Sequence, residues 1–352
     1  MTSLSMPAGL SLIFPKCDQH VGPIHHHMIA CAGIFREQYT EVLFDKLEEF
    51  WNRPSKYIRS LTLTYIVEQL GGDVSKAYAC GAALEIYHAA SLIFDDIQDG
   101  SEIRRQGKTV HVSDGLSLAM SLGAILRSLM YHPINQCQEL TTDEKCFVHE
   151  CIDKTCTKVA CGQALEMMWR KYPEMDIERD AYIDMISKKT GSLIAAAFTI
   201  GAYLSNTNPE TAAQLGKFGE EFGVLFQLHN DLLDLSGGEM IGRPAYDDLR
   251  CAKRTYIVLS CLARLEEMKA EEDLEKFLGL LRQRRLDEEQ IDWCVEQLNR
   301  TEQIEAARVD LVNRLEALRS SVDRIDVPLP LRETLSKLLM FFIKVPSSPA
   351  KS

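Results

Sequence analysis

The sequence predicts an all-α fold, and three observations carry that expectation. From about residue 36 onward apolar residues recur every three to four positions. No run alternates with the period of a strand, and the interruptions are short clusters of Gly, Pro, Asn and Asp. The chain has 352 residues, 46% of them hydrophobic, enough to bury a large core. Length alone suggests about two domains, yet no low-complexity linker and no internal repeat divides the chain. One large helical domain is therefore expected over 36–345, between a weakly structured N-terminal tail over 1–35 and a short C-terminal tail over 346–352.

The elements follow from the breaks. The first stretch carries Pro7, Pro15 and Pro23 and the triplet His25-His26-His27, and reads as a mobile tail. Adjacent histidines on an irregular segment converge poorly on a metal. The stretch lacks Arg, and its apolar piece is too brief to span a bilayer, so neither a transit peptide nor an integral membrane segment is expected. Helical segments then run between Gly71-Gly72, Asp99–Gly107, Pro133, Tyr172-Pro173, Asn206–Pro209 and Gly237–Pro244. From Arg264 to Asp326 the pattern is charge-rich and amphipathic, which reads as solvated helix faces.

Composition excludes some functions. A net charge of −12 and a pI near 5.3 give no basic stripe for nucleic acid. Among the eleven cysteines, Cys146, Cys151, Cys156 and Cys161 recur every five residues. That spacing drifts around a helix and does not match paired zinc ligands, so packing thiols in a reducing, cytoplasmic setting are expected.

Two acidic stripes point to chemistry. In HAASLIFDDIQDGSEIRR (88–105), a helix over Leu84–Phe94 runs into carboxylates. Asp95 and Asp99 are four apart and share a face, Asp96 lies beside them, and His88 precedes Asp95 by two turns. Crowded carboxylates backed by Ala89, Ala90, Leu92 and Ile93 suit hard cations such as Mg²⁺, which prefers oxygen ligands and keeps waters or phosphate oxygens. Arg104 and Arg105 follow where they could grip phosphate bidentately. In FGVLFQLHNDLLDLSGG (222–238), Gln227, Asn230, Asp231 and Asp234 again share one face, with Leu225, Leu228, Leu232 and Leu235 opposite. Two such helices facing across a bundle core could hold a diphosphate with several Mg²⁺ ions. Paired carboxylates also serve glycoside hydrolysis, but a chain with 8% aromatic residues poorly supplies the cleft that reaction uses.

These segments, taken in order, resemble the trans-isoprenyl diphosphate synthase (polyprenyl synthetase) family over about Phe50–Leu262. The matching pieces are RPSKYIRS (53–60), DDIQD (95–99) with Arg104-Arg105, Thr109 and His111, GQALEMMW (162–169), KKTGSL (188–193), FQLHNDLLD (226–234) and YDDLRCAKRT (246–255). The resemblance implies a helical bundle of the isoprenoid synthase type with a central active-site cavity, usually dimeric. It implies Mg-dependent head-to-tail condensation of isopentenyl diphosphate with an allylic diphosphate. Asp95, Asp96, Asp99, Asn230, Asp231 and Asp234 would hold the allylic diphosphate through Mg²⁺. Arg104, Lys189 and Lys253 match positions that grip it directly, and Thr190 and Gln227 match positions whose oxygens face the carbocation. Lys56, Arg59, His88 and Arg105 match the isopentenyl diphosphate pocket, and the released pyrophosphate would take the final proton.

The chain departs from the pattern where Asn230 stands for the usual Asp, and where Ala252 and Tyr256 stand for Gly and Leu-Pro. Asn230 admits a class I terpene cyclase acting on one diphosphate. That motif, however, wants Ser or Thr at 234 and Glu at 238, where this chain has Asp and Gly. A cyclase also has no use for Lys56, Arg59, His88 and Arg105, so condensation is favoured. A non-catalytic regulatory subunit of a prenyltransferase is the further alternative. Small residues at Ala90 and Ser91, beneath the first motif, imply a deep chain pocket and a twenty-carbon geranylgeranyl product, unless a residue such as Met120 supplies the floor.

Overall fold

The computed structural model describes residues 10–38, 41–53, 55–172, 175–235, 245–283 and 285–342. The helices gather into two compact units. The first comprises Met1–Thr157, Leu193–Gly219 and Val322–Leu338; the second comprises Lys158–Ser192, Glu220–Ser321 and Leu339–Ser352. In chain order the helices are α1 (Leu10–Ile13), α2 (Cys17–Gln38), α3 (Glu41–Asn52), α4 (Ile58–Gln69), α5 (Val74–Asp99), α6 (Val110–Ser113), α7 (Leu116–Leu129), α8 (His132–Gln136) and α9 (Thr142–Lys171). There follow α10 (Arg179–Ile186), a π-helical turn at Ser187–Gly191, α11 (Ser192–Leu204), α12 (Pro209–Asp234), α13 (Asp247–Arg250), α14 (Tyr256–Glu267), α15 (Glu271–Leu281), α16 (Glu288–Arg300), α17 (Gln303–Val322) and α18 (Leu329–Phe342). The all-α expectation holds. The one exception among the described residues is a hairpin of two-residue strands, β1 (Ile103–Arg104) and β2 (Gly107–Lys108), too short to show a period in sequence.

The first unit is built around α5. Asp73 caps its start by accepting the Ser75 N–H at 3.0 Å, and Gly100, at φ 69°, ends it in the left-handed conformation. Ala77, Ala79, Ala82 and Ala83 are fully buried, so neighbouring helices approach closely. A Cβ on Gly81 would come within 2.9 Å of the Ser60 Cβ on α4. One on Gly123 of α7 would meet the Phe94 ring at 2.8 Å. By length and hydropathy α5 could cross a bilayer, but 72% of that window is buried in the protein, as in a core helix.

The expected N-terminal tail is corrected by this unit, in which residues 10–35 are largely helical. Val21, Ile24, Met28 and Cys31 fall on one helical face and are buried, and Phe14 meets Tyr65 edge-on at 5.9 Å. The prolines obscured that stripe, although Pro15 lies before α2 and Pro23 is accommodated within it. The expected C-terminal tail and the Gly237–Pro244 break lie outside the described residues.

In the second unit, Phe222, Leu228, Ile257, Val258, Leu265, Phe277, Ile291 and Leu298 form the interior. α16 opens with a full capping box between Asp287 and Gln290. The stretch from α15 to α17 is amphipathic as expected. None of the eleven cysteines forms a disulfide, but Cys146 and Cys161 are exposed, so the packing role holds for Cys156 and not for those two. The five-residue spacing walks them around α9, and only part of that helix is covered.

Candidate active site

The first unit carries the first acidic stripe at the C-terminal end of α5. Asp96 (2% exposed) and Asp99 (8%) are buried and Asp95 is half-buried. Arg104, on β1, donates from Nε to Asp96 Oδ1 at 2.7 Å and from Nη2 to Asp95 Oδ2 at 3.3 Å, with a second contact from Nη2 to Asp96. Asp95, Asp96 and Asp99 hold the Arg104 guanidinium firmly in its charged form, above its ordinary pKa despite burial. The hairpin that aims Arg104 turns through Arg105 and Gln106, both at positive φ (51° and 63°), as a two-residue β-turn of this hand requires. Thr109 closes the hairpin by donating its hydroxyl to the Ser101 carbonyl at 2.7 Å.

A second basic group occupies the same unit. Burial lowers Arg59 to about 10 and lowers Lys56, although the Lys56 side chain also reaches solvent. Burial and then the guanidinium charges of Arg59, Arg105 and Arg104 push His88 well down, so it is neutral. Burial likewise lowers Arg105, whose guanidinium lies 5.8 Å from the Phe50 ring centre. Arg59, Arg105 and His88 act on one another and their charged forms are disfavoured, which marks a place short of negative charge. Glu85, on α5 one turn before His88, is a buried anion that sequence reading passed over. Of the two small residues before Asp95, Ala90 is buried and Ser91 returns its hydroxyl to the His88 carbonyl at 2.8 Å. Met120 is 53% exposed on α7, a poor candidate for a pocket floor within this chain.

The second unit holds the second stripe. Asp231 is buried, and both its oxygens accept hydrogen bonds, from Tyr182 Oη at 2.6 Å and Gln227 Nε2 at 2.9 Å. Gln227 Oε1 in turn accepts from Thr190 Oγ1 at 3.2 Å. Lys189 pairs with Glu166 at 2.6 Å and Lys253 with Asp248 at 3.1 Å. Tyr182, Gln227, Asp231, Lys189, Glu166, Lys253 and Asp248 line one recess with Trp169 and Arg254. Asn230 is half-buried beside them on α12. Asp234 accepts the backbone N–H groups of Asp247 and Asp248 at 3.0 and 3.1 Å, so its carboxylate anchors the turn leading to Lys253. Tyr182 and Glu166 were invisible as partners in sequence, because their contacts join segments distant along the chain, whereas Asp248 pairs with Lys253 inside the YDDLRCAKRT segment.

Lys189 and Thr190 sit on the π-helical turn, a local irregularity common at functional sites. The turn packs backbone to backbone against α9: a Cβ on Gly162 would fall 2.6 Å from Lys189 N. That explains why the GQALEMMW segment begins with Gly.

The donor chemistry fits Mg²⁺ shared with a ligand. Among the described residues, no three His, Cys, Asp or Glu side chains are disposed to hold an ion alone. Yet burial, and then the charge of Asp248, push the carboxyls of both Asp231 and Asp234 upward. Carboxylates crowded in this way call for a hard cation completed by water or phosphate oxygens.

Residues 40–298 match the polyprenyl synthetase family model. The chain is 33% identical over 291 residues to the short chain isoprenyl diphosphate synthase of Methanothermobacter thermautotrophicus, covering 80% of this chain and 86% of that protein. It is 32% identical over 227 residues to the geranylgeranyl diphosphate synthase of Sulfolobus acidocaldarius, covering 64% and 68%. The geranylgeranyl pyrophosphate synthetase of Pyrococcus horikoshii superposes with a TM-score of 0.82 at 25% identity over 95% of this chain and 98% of that one. With its motifs in order on this helical frame and well over half its length inside the match, the chain belongs to the polyprenyl synthetase family.

Proposed function

We propose that this protein is a prenyltransferase that condenses isopentenyl diphosphate with an allylic diphosphate, head to tail, releasing pyrophosphate. The observation that carries the reading is the second basic group in the first unit. Arg59, His88 and Arg105 gather close enough for their charges to act on one another, Lys56 precedes Arg59 at the start of α4, and a second diphosphate is the ligand that relieves such a group. A single-substrate cyclase leaves that group without a purpose.

The candidate groups for the allylic diphosphate and its cations are, in the first unit, Arg104 with Asp95, Asp96 and Asp99, and, in the second unit, Lys189 and Lys253 with Asn230, Asp231 and Asp234. Mg²⁺, when bound there, supplies positive charge to the departing pyrophosphate. Arg104 is preset for its task by Asp96, and Lys189 and Lys253 are held by Glu166 and Asp248. As the allylic C–O bond breaks, Thr190 and Gln227 present oxygens toward the cationic carbon. The isopentenyl double bond then forms the new C–C bond, and the C–H proton lost from that unit passes to pyrophosphate, so no side-chain base is assigned.

Small residues at Ala90 and Ser91 and the named relatives support a geranylgeranyl product. A cytoplasmic homodimer without a membrane segment is the assembly we propose, with the exposed Leu116 and Met120 on α7 as candidate contacts. The test is to incubate the protein with Mg²⁺, isopentenyl diphosphate and each allylic primer and to identify the products. Incorporation of isopentenyl units is expected. A hydrocarbon made from one long diphosphate without such incorporation would favour the cyclase. No turnover alone, but a changed product when a partner synthase is added, would favour the regulatory subunit.

A further inference from the structure

We infer that Glu85 is a positioning residue for the second diphosphate: anchored from α5 on the first turn of α4, its carboxylate holds the Arg59 and Arg105 guanidinium groups in place before substrate arrives. α4 starts immediately after Tyr57, which sits in the left-handed region at φ 47° and supplies no side-chain cap. The first-turn N–H of Ser60 is satisfied by Glu85 Oε1 at 3.2 Å, and the Ser60 hydroxyl donates to the same oxygen at 3.0 Å. Ser60 adjoins Arg59, so this contact sets where the Arg59 side chain leaves the helix. The close approach of the helices at Gly81 and Ser60 leaves little room for the cap to slide.

Glu85 is 4% exposed, and one of its oxygens is satisfied twice by Ser60, from the backbone N–H and from the hydroxyl. Its charge acts on Arg59 and Arg105, the two guanidinium groups of the basic cluster. Among the described residues Arg59 Nε has no hydrogen-bond partner. Arg105 leaves a backbone at φ 51° and lies toward the Phe50 ring. Among the described residues neither guanidinium has a carboxylate within ion-pair distance, so Glu85 is the acidic side chain whose charge acts on both.

This inference rests on the two-substrate reading above, and the sign of one measurement isolates it. A carboxylate near a bound diphosphate weakens binding by charge alone. Glu85→Gln would therefore tighten isopentenyl diphosphate if the residue acted only through its charge, and loosen it if the residue positions the cations. We expect Glu85→Gln to raise KM for isopentenyl diphosphate about tenfold, leave KM for the allylic substrate within about twofold, and change kcat less than the first KM. Glu85→Asp is expected to recover part of the loss. If Glu85→Gln does not fold, Glu85→Asp is read by the same split, with a smaller rise. An unchanged or lowered KM for isopentenyl diphosphate in a folded variant overturns the inference, as does an equal rise in both KM values. A wild-type protein that incorporates no isopentenyl diphosphate overturns the two-substrate reading itself, and the inference with it.

Discussion

Gly162→Ala tests whether the backbone contact between α9 and the π-helical turn positions Lys189 and Thr190. A Cβ at 162 would lie 2.6 Å from Lys189 N, 2.9 Å from Met185 O and 3.0 Å from Lys189 Cα. Carbon atoms settle at about 3.5–4.0 Å, so the two backbones must part by roughly 1 Å. All three obstacles are main-chain atoms, and no flexible side-chain tip can swing aside. Overpacking of this kind costs about 1–3 kcal/mol, and rigid obstacles put the expectation near about 3 kcal/mol. In a chain this long that corresponds to a fall in melting temperature of about 5 °C. Lys189 and Thr190 move with the turn, and a displacement of about 1 Å lowers kcat about a hundredfold. Thermal unfolding and steady-state kinetics with both diphosphates measure the two effects. Gly279→Ala on exposed α15, where nothing lies within 4 Å, is the control and should stabilise by about 0.5–1 kcal/mol. A Gly162→Ala protein that melts within about 1 °C of wild type, with kcat within about twofold, would refute the reasoning.

Three further outcomes follow from particular side chains. Arg104→Gln strips the buried Asp96 of its guanidinium and should destabilise by about 3 kcal/mol in chemical denaturation; a change under about 0.5 kcal/mol would mean the pair is not formed. Ala252→Gly should stabilise by about 1 kcal/mol, because Ala252 is held at φ 52°, where a Cβ is strained. The family's usual Gly at that position thus has a conformational reason. Burial lowers the pKa of His20, His25 and His27 on α2, and outweighs the opposing charges of Glu68, Glu48 and Glu139. The unfolded chain then binds protons more readily, so the stability these residues contribute is full above about pH 6.5 and falls as pH drops below it. Melting temperatures taken on the acid side of neutrality should show that slope, and replacing the three histidines by Gln should flatten it.

What could be read beforehand depended on period. The stripes on α5 and α12 were legible because helical spacing repeats over several turns, and carboxylates interrupt it conspicuously. The β1–β2 hairpin was not, since two-residue strands have no period and Arg105-Gln106 lacks the Asn-Gly signature of its turn. α2 was obscured by its prolines and by a histidine triplet that dilutes its apolar face. Glu85 did leave a signal: it is the one charged residue between Ala79 and Phe94, inside an otherwise apolar and small-residue run. A charge in that position needs a partner, and only the packing of α4 on α5 identifies Ser60. Tyr182 and Glu166 left no comparable trace, because each acts through a contact with a distant helical segment.

Asn230 is where charge balance and family pattern meet. Asp231 and Asp234 are already held in a form that resists ionisation, by burial and by the neighbouring charge of Asp248. A third carboxylate on the same face, where the family usually places one, would add to that repulsion in the absence of a cation and strengthen binding once a cation is present. Asn keeps an oxygen for coordination but omits the charge, so it favours the metal-free protein at the expense of metal affinity. Asn230→Asp should therefore do two things together: lower the melting temperature of the metal-free protein, and lower the Mg²⁺ concentration needed for half-maximal stabilisation by Mg²⁺ with pyrophosphate. Thermal shifts with and without Mg²⁺ read both without requiring turnover. If the metal-free protein is destabilised while the Mg²⁺ titration is unmoved, position 230 feels the carboxylates but does not face the ion. If neither changes, Asn230 lies outside the cluster, and its departure from the family pattern has no bearing on metal binding.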